Sequence, residues 1–173
     1  RVLWQHPCQL CSDIAVSDDG SRLAQVGADG LEVWDPRTDQ RLFQETRRVR
    51  PGATNSTLSP DGRRIAWSHG ETVVVRELAS GQELTLSLDG ALLGFRLSTD
   101  PGRLLTATAR SISLRDCVTG RTLWTVPNEL PDLVYPIFWS PDGRALLLVH
   151  GYNATEVLDV GTGERLAWFP TLS

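Results

Sequence analysis

Thr57-Leu58-Ser59-Pro60-Asp61-Gly62-Arg63-Arg64-Ile65-Ala66-Trp67-Ser68-His69-Gly70-Glu71-Thr72-Val73-Val74-Val75 decides the fold of this 173-residue chain. Within it, Ser59-Pro60-Asp61-Gly62 is a tight turn, in which proline fixes φ and glycine accepts a positive φ. Thr57-Leu58 ends one strand, and Ile65-Ala66-Trp67-Ser68 forms the next. His69-Gly70-Glu71 turns the chain into Val73-Val74-Val75, a β-branched run suited to a pleated surface. Ala79-Ser80-Gly81-Gln82 then turns it into Leu84-Thr85-Leu86-Ser87. Four short strands joined by tight turns make one antiparallel sheet.

The same order of signals recurs along the chain. Ser17-Asp18-Asp19-Gly20, Ser98-Thr99-Asp100-Pro101 and Ser140-Pro141-Asp142-Gly143 match the turn at Ser59, and the four serines are spaced by 42, 39 and 42 residues. Val33-Trp34-Asp35, Val75-Arg76-Glu77, Leu114-Arg115-Asp116 and Val157-Leu158-Asp159 place an acidic residue at a matching offset. Thr38-Asp39-Gln40, Ser80-Gly81-Gln82, Thr119-Gly120-Arg121 and Thr162-Gly163-Glu164 follow each one. A period near forty with no helical periodicity predicts an array of four-stranded sheets.

Ser-Pro-Asp-Gly, an apolar strand and then Val33-Trp34-Asp35-Pro36-Arg37-Thr38 resemble the WD40-type repeat, and the resemblance covers essentially the whole chain. It implies an all-β fold: a β-propeller segment of four four-stranded antiparallel blades plus a leading outer strand, part of a larger ring. The approximate repeats are 6–44, 45–87, 88–127 and 128–170. Residues 1–5 supply the outer strand of a preceding blade, because Arg1-Val2-Leu3-Trp4 aligns with Arg121-Thr122-Leu123-Trp124. The repeats are degenerate: Trp-Asp itself occurs only at Trp34-Asp35, and the family's Gly-His pair is absent from all four. A neighbouring family of bacterial propellers shares the Ser-Pro-Asp-Gly-Arg start.

Composition narrows the function classes. At 40% hydrophobic and 22% charged residues the chain belongs with soluble globular domains. A formal charge of −4 gives no basic footprint for nucleic acid, and no apolar run reaches the length of a membrane span. The chain has no Met, which suggests a piece of a longer protein, and all 17 basic residues are Arg, a bias of GC-rich bacterial genomes. Three cysteines, an odd number, do not suggest a disulfide framework, so a reducing, cytoplasmic setting is expected.

The residue types that carry chemistry read as architectural. Cys8-Gln9-Leu10-Cys11 has metal or redox spacing, but zinc needs a second ligand pair and none exists. Cys117 follows the landmark Asp116 in a turn. His69 and His150 both end the second strand of their repeats and read as solvated turn histidines. Asp18, Asp19, Asp61, Asp100 and Asp142 sit in turns, where carboxylates bond local amides. Trp67 and Trp139 read as central-strand residues, and Trp4, Trp124 and Trp168 as outer-strand residues packing between blades. No catalytic, metal or cofactor-binding residue is expected.

What breaks the repeat is the loop Thr46-Arg47-Arg48-Val49-Arg50-Pro51-Gly52, joining the outer strand of repeat one to the inner strand of repeat two. In WD-repeat propellers this connection shares a rim with the turn between strands two and three, which here carries Asp29, His69, Arg110 and Tyr152. Three arginines there can hold carboxylate or phosphate in bidentate fashion. The loop around Tyr135 is long and proline-rich, as functional loops often are. The expected function is a non-catalytic protein- or peptide-binding scaffold or sensor in a larger multidomain protein. Its contacts are Arg47, Arg48, Arg50, His69, Arg110, Tyr135 and Tyr152, and the ends pair with further blades of the parent chain or with another copy. The alternative is a propeller accompanying a hydrolase or other catalytic module, gating or positioning its substrate.

Overall fold

A computed structural model describes residues 11–27, 30–46, 56–69, 71–98, 102–129, 134–151 and 154–170. Every regular element among them is a strand. The first sheet is β1 (Asp13–Val16), β2 (Leu23–Gly27), β3 (Gly30–Asp35) and β4 (Gln40–Glu45), and the second is β5 (Ser56–Leu58), β6 (Arg64–His69), β7 (Thr72–Glu77) and β8 (Glu83–Ser87). The third contains β9 (Leu92–Leu97), β10 (Arg103–Thr108), β11 (Ser111–Asp116) and β12 (Thr122–Pro127). The fourth contains β13 (Val134–Trp139), β14 (Ala145–His150), β15 (Ala154–Asp159) and β16 (Arg165–Pro170). Each sheet runs in chain order, so every strand pairs with its sequence neighbour. Four four-stranded antiparallel sheets, with no helix among the described residues, make this a propeller-like all-β fold. Residues 1–5, the expected leading strand, lie outside the described residues.

The landmarks of the sequence become turns with one recurring hydrogen-bond pattern. Ser17, Ser59 and Ser140 donate Oγ–H to Asp19, Asp61 and Asp142 at 2.8, 2.6 and 2.6 Å. The same hydroxyls accept the amides of Arg22, Arg64 and Ala145, each at 2.9 Å, which start the next strand. The backbone amide of Ser21 and the Ser17 hydroxyl hold the Asp19 carboxyl down to about 2. After the third strand, Asp35, Asp116 and Asp159 accept the amides of Arg37, Val118 and Thr162 at 2.9 Å. Two residues before each fourth strand or thereabouts, Gly81, Gly120 and Gly163 take φ of 75°, 74° and 77°, and Asp39 takes the same conformation at 57° in the first repeat. Asp tolerates that region better than most residues. Recurring carboxylates thus close turns, as their recurrence predicts.

The chain divides into two compact units, Arg1–Thr85 and Leu86–Ser173. In the first unit, β1 lies beside β5. Ala24, Val26, Leu31 and Val33 on one face of the first sheet pack on Leu58, Ile65 and Trp67 of the second. The rings of Phe43 and Trp67 are 5.6 Å apart, and the Arg76 guanidinium lies 4.5 Å from the Phe43 ring centre. Asp13 at the start of β1 accepts both the amide and the hydroxyl of Ser56 at the start of β5, at 2.6 and 2.9 Å.

In the second unit, β9 lies beside β13. Leu105, Ala107, Ile112 and Leu114 of the third sheet pack on Ile137, Leu146, Leu148 and Leu158 of the fourth. Burying aliphatic side chains at about 2 kcal/mol each is the main force holding such sheets together. The half-buried Trp124 of β12 donates its indole N–H to the Val160 carbonyl at 2.7 Å, as a tryptophan between sheets should. Trp139 departs from expectation: it lies in β13, an edge strand rather than a central one. The run Ile137-Phe138-Trp139 suits any strand, and apolar content alone does not separate first from second.

Candidate functional site

The expected rim residues are only partly in view. Arg47, Arg48, Arg50, Tyr152 and Asp29 lie outside the described residues. Tyr135 falls in β13, and its side chain is likewise outside them. His69 is exposed at the end of β6, where its carbonyl accepts the Thr72 hydroxyl at 2.7 Å. Arg110 is exposed in the turn between β10 and β11. That turn is held firmly. Asp89 accepts the hydroxyls of Thr108 and Ser111 at 2.7 Å each, and Asn128 donates its side-chain amide to the Thr108 carbonyl at 2.8 Å. The Asn128 backbone amide also donates to the Arg110 carbonyl at 2.9 Å. The connection leaving β12 therefore does meet the turn between the second and third strands of its sheet. His69 and Arg110 belong to different units.

His150 corrects the expectation of a solvated turn histidine. It is 1% exposed and its Nε2 lies 2.7 Å from Oε1 of Glu156. Register explains the contact: Leu148 pairs with Glu156 and His150 with Ala154, so the two side chains are diagonal neighbours on one face. His69 holds the same register position, opposite Thr72, but Val74 stands in the second sheet where Glu156 stands in the fourth. Without a carboxylate to receive its N–H, an imidazole is better solvated at that place.

Glu156 is the hub of a larger cluster. Arg165 of β16 donates Nε–H to Glu156 Oε2 at 3.0 Å and a terminal N–H to Glu129 at 2.9 Å. Its guanidinium lies 4.9 Å from the centre of the Trp168 ring, which sits 6.2 Å from the His150 ring. Burial pushes the Glu156 carboxyl up, but the hydrogen bond and charge of His150 and those of Arg165 outweigh it and hold the group below its ordinary range. An ionised carboxylate only accepts, so His150 donates from Nε2. His150 Nδ1 is buried with no hydrogen-bond partner. A cleft of roughly 230 Å³ opens beside these groups, lined also by Ile112, Val126 and Pro127.

A related cluster stands in the first sheet. Glu32 accepts Gln25, Trp34 and Arg41 at 3.0, 3.3 and 2.8 Å. Burial raises the Glu32 carboxyl, and these donors bring it below its ordinary value. Glu32–Arg41 and Glu156–Arg165 share one separation along the chain, nine residues. Sequence reasoning missed both pairs, though a signal was present: Glu32-Val33-Trp34-Asp35 and Glu156-Val157-Leu158-Asp159 repeat a buried-position glutamate that the other two repeats lack.

The cysteines also differ from expectation. Cys11 is disulfide-bonded, against the expectation of no disulfide framework, and Cys117 is buried. Cys8 lies outside the described residues. Among the described residues no group of three or more His, Cys, Asp or Glu side chains is placed to hold a metal ion. Among the described residues no helix is long and apolar enough to cross a membrane.

Comparison with known proteins bears on the fold alone. No family model matches the chain, and no curated protein matches it. Solved structures match in number, 1341 chains, so the architecture is a common one and does not by itself indicate an activity. Among them is Kuenenia stuttgartiensis hydrazine synthase, with a TM-score of 0.71 and 19% identity over 99% of this chain. This chain spans about half of that one, 53%. The protein is similar to it in fold, a propeller-like arrangement of four-stranded sheets.

Proposed function

We propose that this chain is a WD-repeat-type, non-catalytic scaffold or sensor segment of a larger bacterial protein, binding a protein or peptide through its rim loops. The observation that carries the reading is where the polar side chains are engaged. Ser17, Ser59 and Ser140 and their aspartates close their own turns. Glu32 and Glu156 are saturated by neighbours within the sheets. A nucleophile or general base must be reachable by substrate, whereas His150 and Glu156 are buried and turned on each other. Of the candidate contacts that are described, His69 and Arg110 are exposed; the reading adds to them the non-recurring loop residues Arg47, Arg48, Arg50, Tyr135 and Tyr152. Guanidinium groups favour bidentate contacts with carboxylates, so an acidic peptide is the fitting partner.

The test is selection of binders from a displayed random-peptide library. Acidic peptides should be enriched, and replacing Arg47, Arg48 and Arg50 together with Ala should weaken them by more than about tenfold, the loss expected from removing charge-assisted contacts. Equal binding by the triple variant would sink the rim assignment.

A further inference from the structure

The cleft beside Glu156 is separate from the rim: neither His69 nor Arg110 lines it. Its wall from the third sheet is apolar, with Ile112 on β11 and Val126 and Pro127 at the end of β12. Its charged groups are unbalanced. Among the described residues that line it, Glu129, Glu156 and Glu164 are carboxylates and Arg165 is the one guanidinium, so negative charge is in excess. Arg165 already gives Nε–H to Glu156 and a terminal N–H to Glu129. Glu164 is exposed in the turn before β16 and makes no ion pair among the described residues. His150 also lines the cleft. With Nε2–H given to Glu156, the neutral ring keeps a lone pair on Nδ1, which is buried and has no hydrogen-bond partner. The two unpaired groups, Glu164 and His150 Nδ1, are therefore both acceptors. A buried acceptor without a donor is costly, and one beside a cavity points to a donor from outside the chain.

We infer that this cleft binds a small organic amine, a protonated amino group on a compact apolar body. The ammonium carries donors only, which suits Glu164 and His150 Nδ1, and its charge answers the excess of carboxylates. The body lies against Ile112, Val126 and Pro127. An anion would meet uncompensated negative charge in a partly enclosed site, where repulsion is less screened than in water. The Trp168 ring does not hold the cation, because the Arg165 guanidinium already lies 4.9 Å from its centre. Volume sets the size of the ligand. The cleft of roughly 230 Å³ exceeds the cavity of about 150 Å³ that takes benzene and falls short of the roughly 300 Å³ at which drug-sized pockets begin. One ring with a two-carbon amine arm fits that interval. The ligand is a free amine rather than a partner's lysine, since the bare lysine stem would leave the apolar wall in contact with water.

Titration of the whole chain with 2-phenylethylamine, followed by ligand-observed NMR at pH 8, tests it. The amine should bind with a Kd on the order of 1 mM, as its size allows. It should bind at least about fivefold more tightly than the neutral 2-phenylethanol, and phenylacetate should bind least. Glu129 and Glu164 are both exposed, so Glu129→Gln with Glu164→Gln leaves the core intact. That double variant should lose the preference for amine over alcohol. Val126→Trp, which fills the cleft, should abolish binding of both. Equal affinity for amine and alcohol, an unchanged preference in the double variant, or no binding of the amine at all would overturn the proposal. A tetralysine peptide binding as tightly as the amine would assign the carboxylates to a protein partner and overturn the free-amine reading. The rim assignment stands or falls separately, because its arginine variant should bind the amine unchanged.

Discussion

His150 and Glu156 form a buried pair, 2.7 Å from Nε2 to Oε1, between strands β14 and β15 of the fourth sheet. Arg165 completes it from β16 at 3.0 Å. The site is thus a carboxylate held between an imidazole and a guanidinium, all three on adjacent strands of one sheet.

Glu156→Gln should destabilise the second unit by about 2 kcal/mol, the usual loss when the charged acceptor of buried hydrogen bonds is removed. The sign of the pH dependence follows from the lowered Glu156 carboxyl. A depressed folded-state value adds stability above the ordinary value of 4.5 and loses it as pH falls through and below that value. Urea midpoints of the native chain should therefore drop from pH 5 downward, and Glu156→Gln should drop less steeply. Parallel slopes for the two would refute the assignment.

Ser59→Ala removes a hydroxyl that donates to Asp61 and accepts the Arg64 amide. Because Ser59 is buried, the orphaned amide should cost about 1 to 2 kcal/mol. Denaturant unfolding reads this directly, and Ser140→Ala in the fourth sheet should cost less, because Ser140 is only half-buried and water can reach the freed amide.

Val33→Ala and Val157→Ala delete the same atoms at one register position. Val33 is fully buried, so its truncation should cost about 2 kcal/mol. Val157 is only half-buried, and its loss should stay below about 1 kcal/mol. Equal costs would mean that its place is as closely packed in solution as that of Val33.

Gly30→Ala and Gly20→Ala separate conformational strain from collision. Both residues have positive φ, 106° and 65°, but a Cβ on Gly30 would run into the Glu45 backbone carbonyl, whereas one on Gly20 meets open space. Gly20→Ala should cost about 1 kcal/mol from backbone conformation alone. Gly30→Ala should cost at least about 2 kcal/mol more, since backbone cannot yield as a side chain can. Thermal unfolding of both variants gives the comparison.

How much was legible in the sequence depended on how far apart the interacting residues lie. Ser59, Asp61, Gly62 and Arg64 act within one turn, so their identities alone announced it, and the same holds at Ser17 and Ser140. Strand boundaries followed from those turns. The Arg165–Glu129 contact joins residues 36 apart, and no local pattern contains it. Trp139 was misassigned for a similar reason, because its neighbours look alike in an inner or a central strand.

By itself, then, the chain determined a forty-residue cycle of short strands and closed turns, because backbone geometry and hydrogen bonds over a few residues suffice for that. The tertiary structure alone decided which chemically similar residues are buried. His69 and His150 share a register position, and only the partner across the sheet, Val74 or Glu156, sets whether the ring stays in water or goes inside. The free energy of a polar group depends on what surrounds it, and surroundings are assembled from distant parts of the chain.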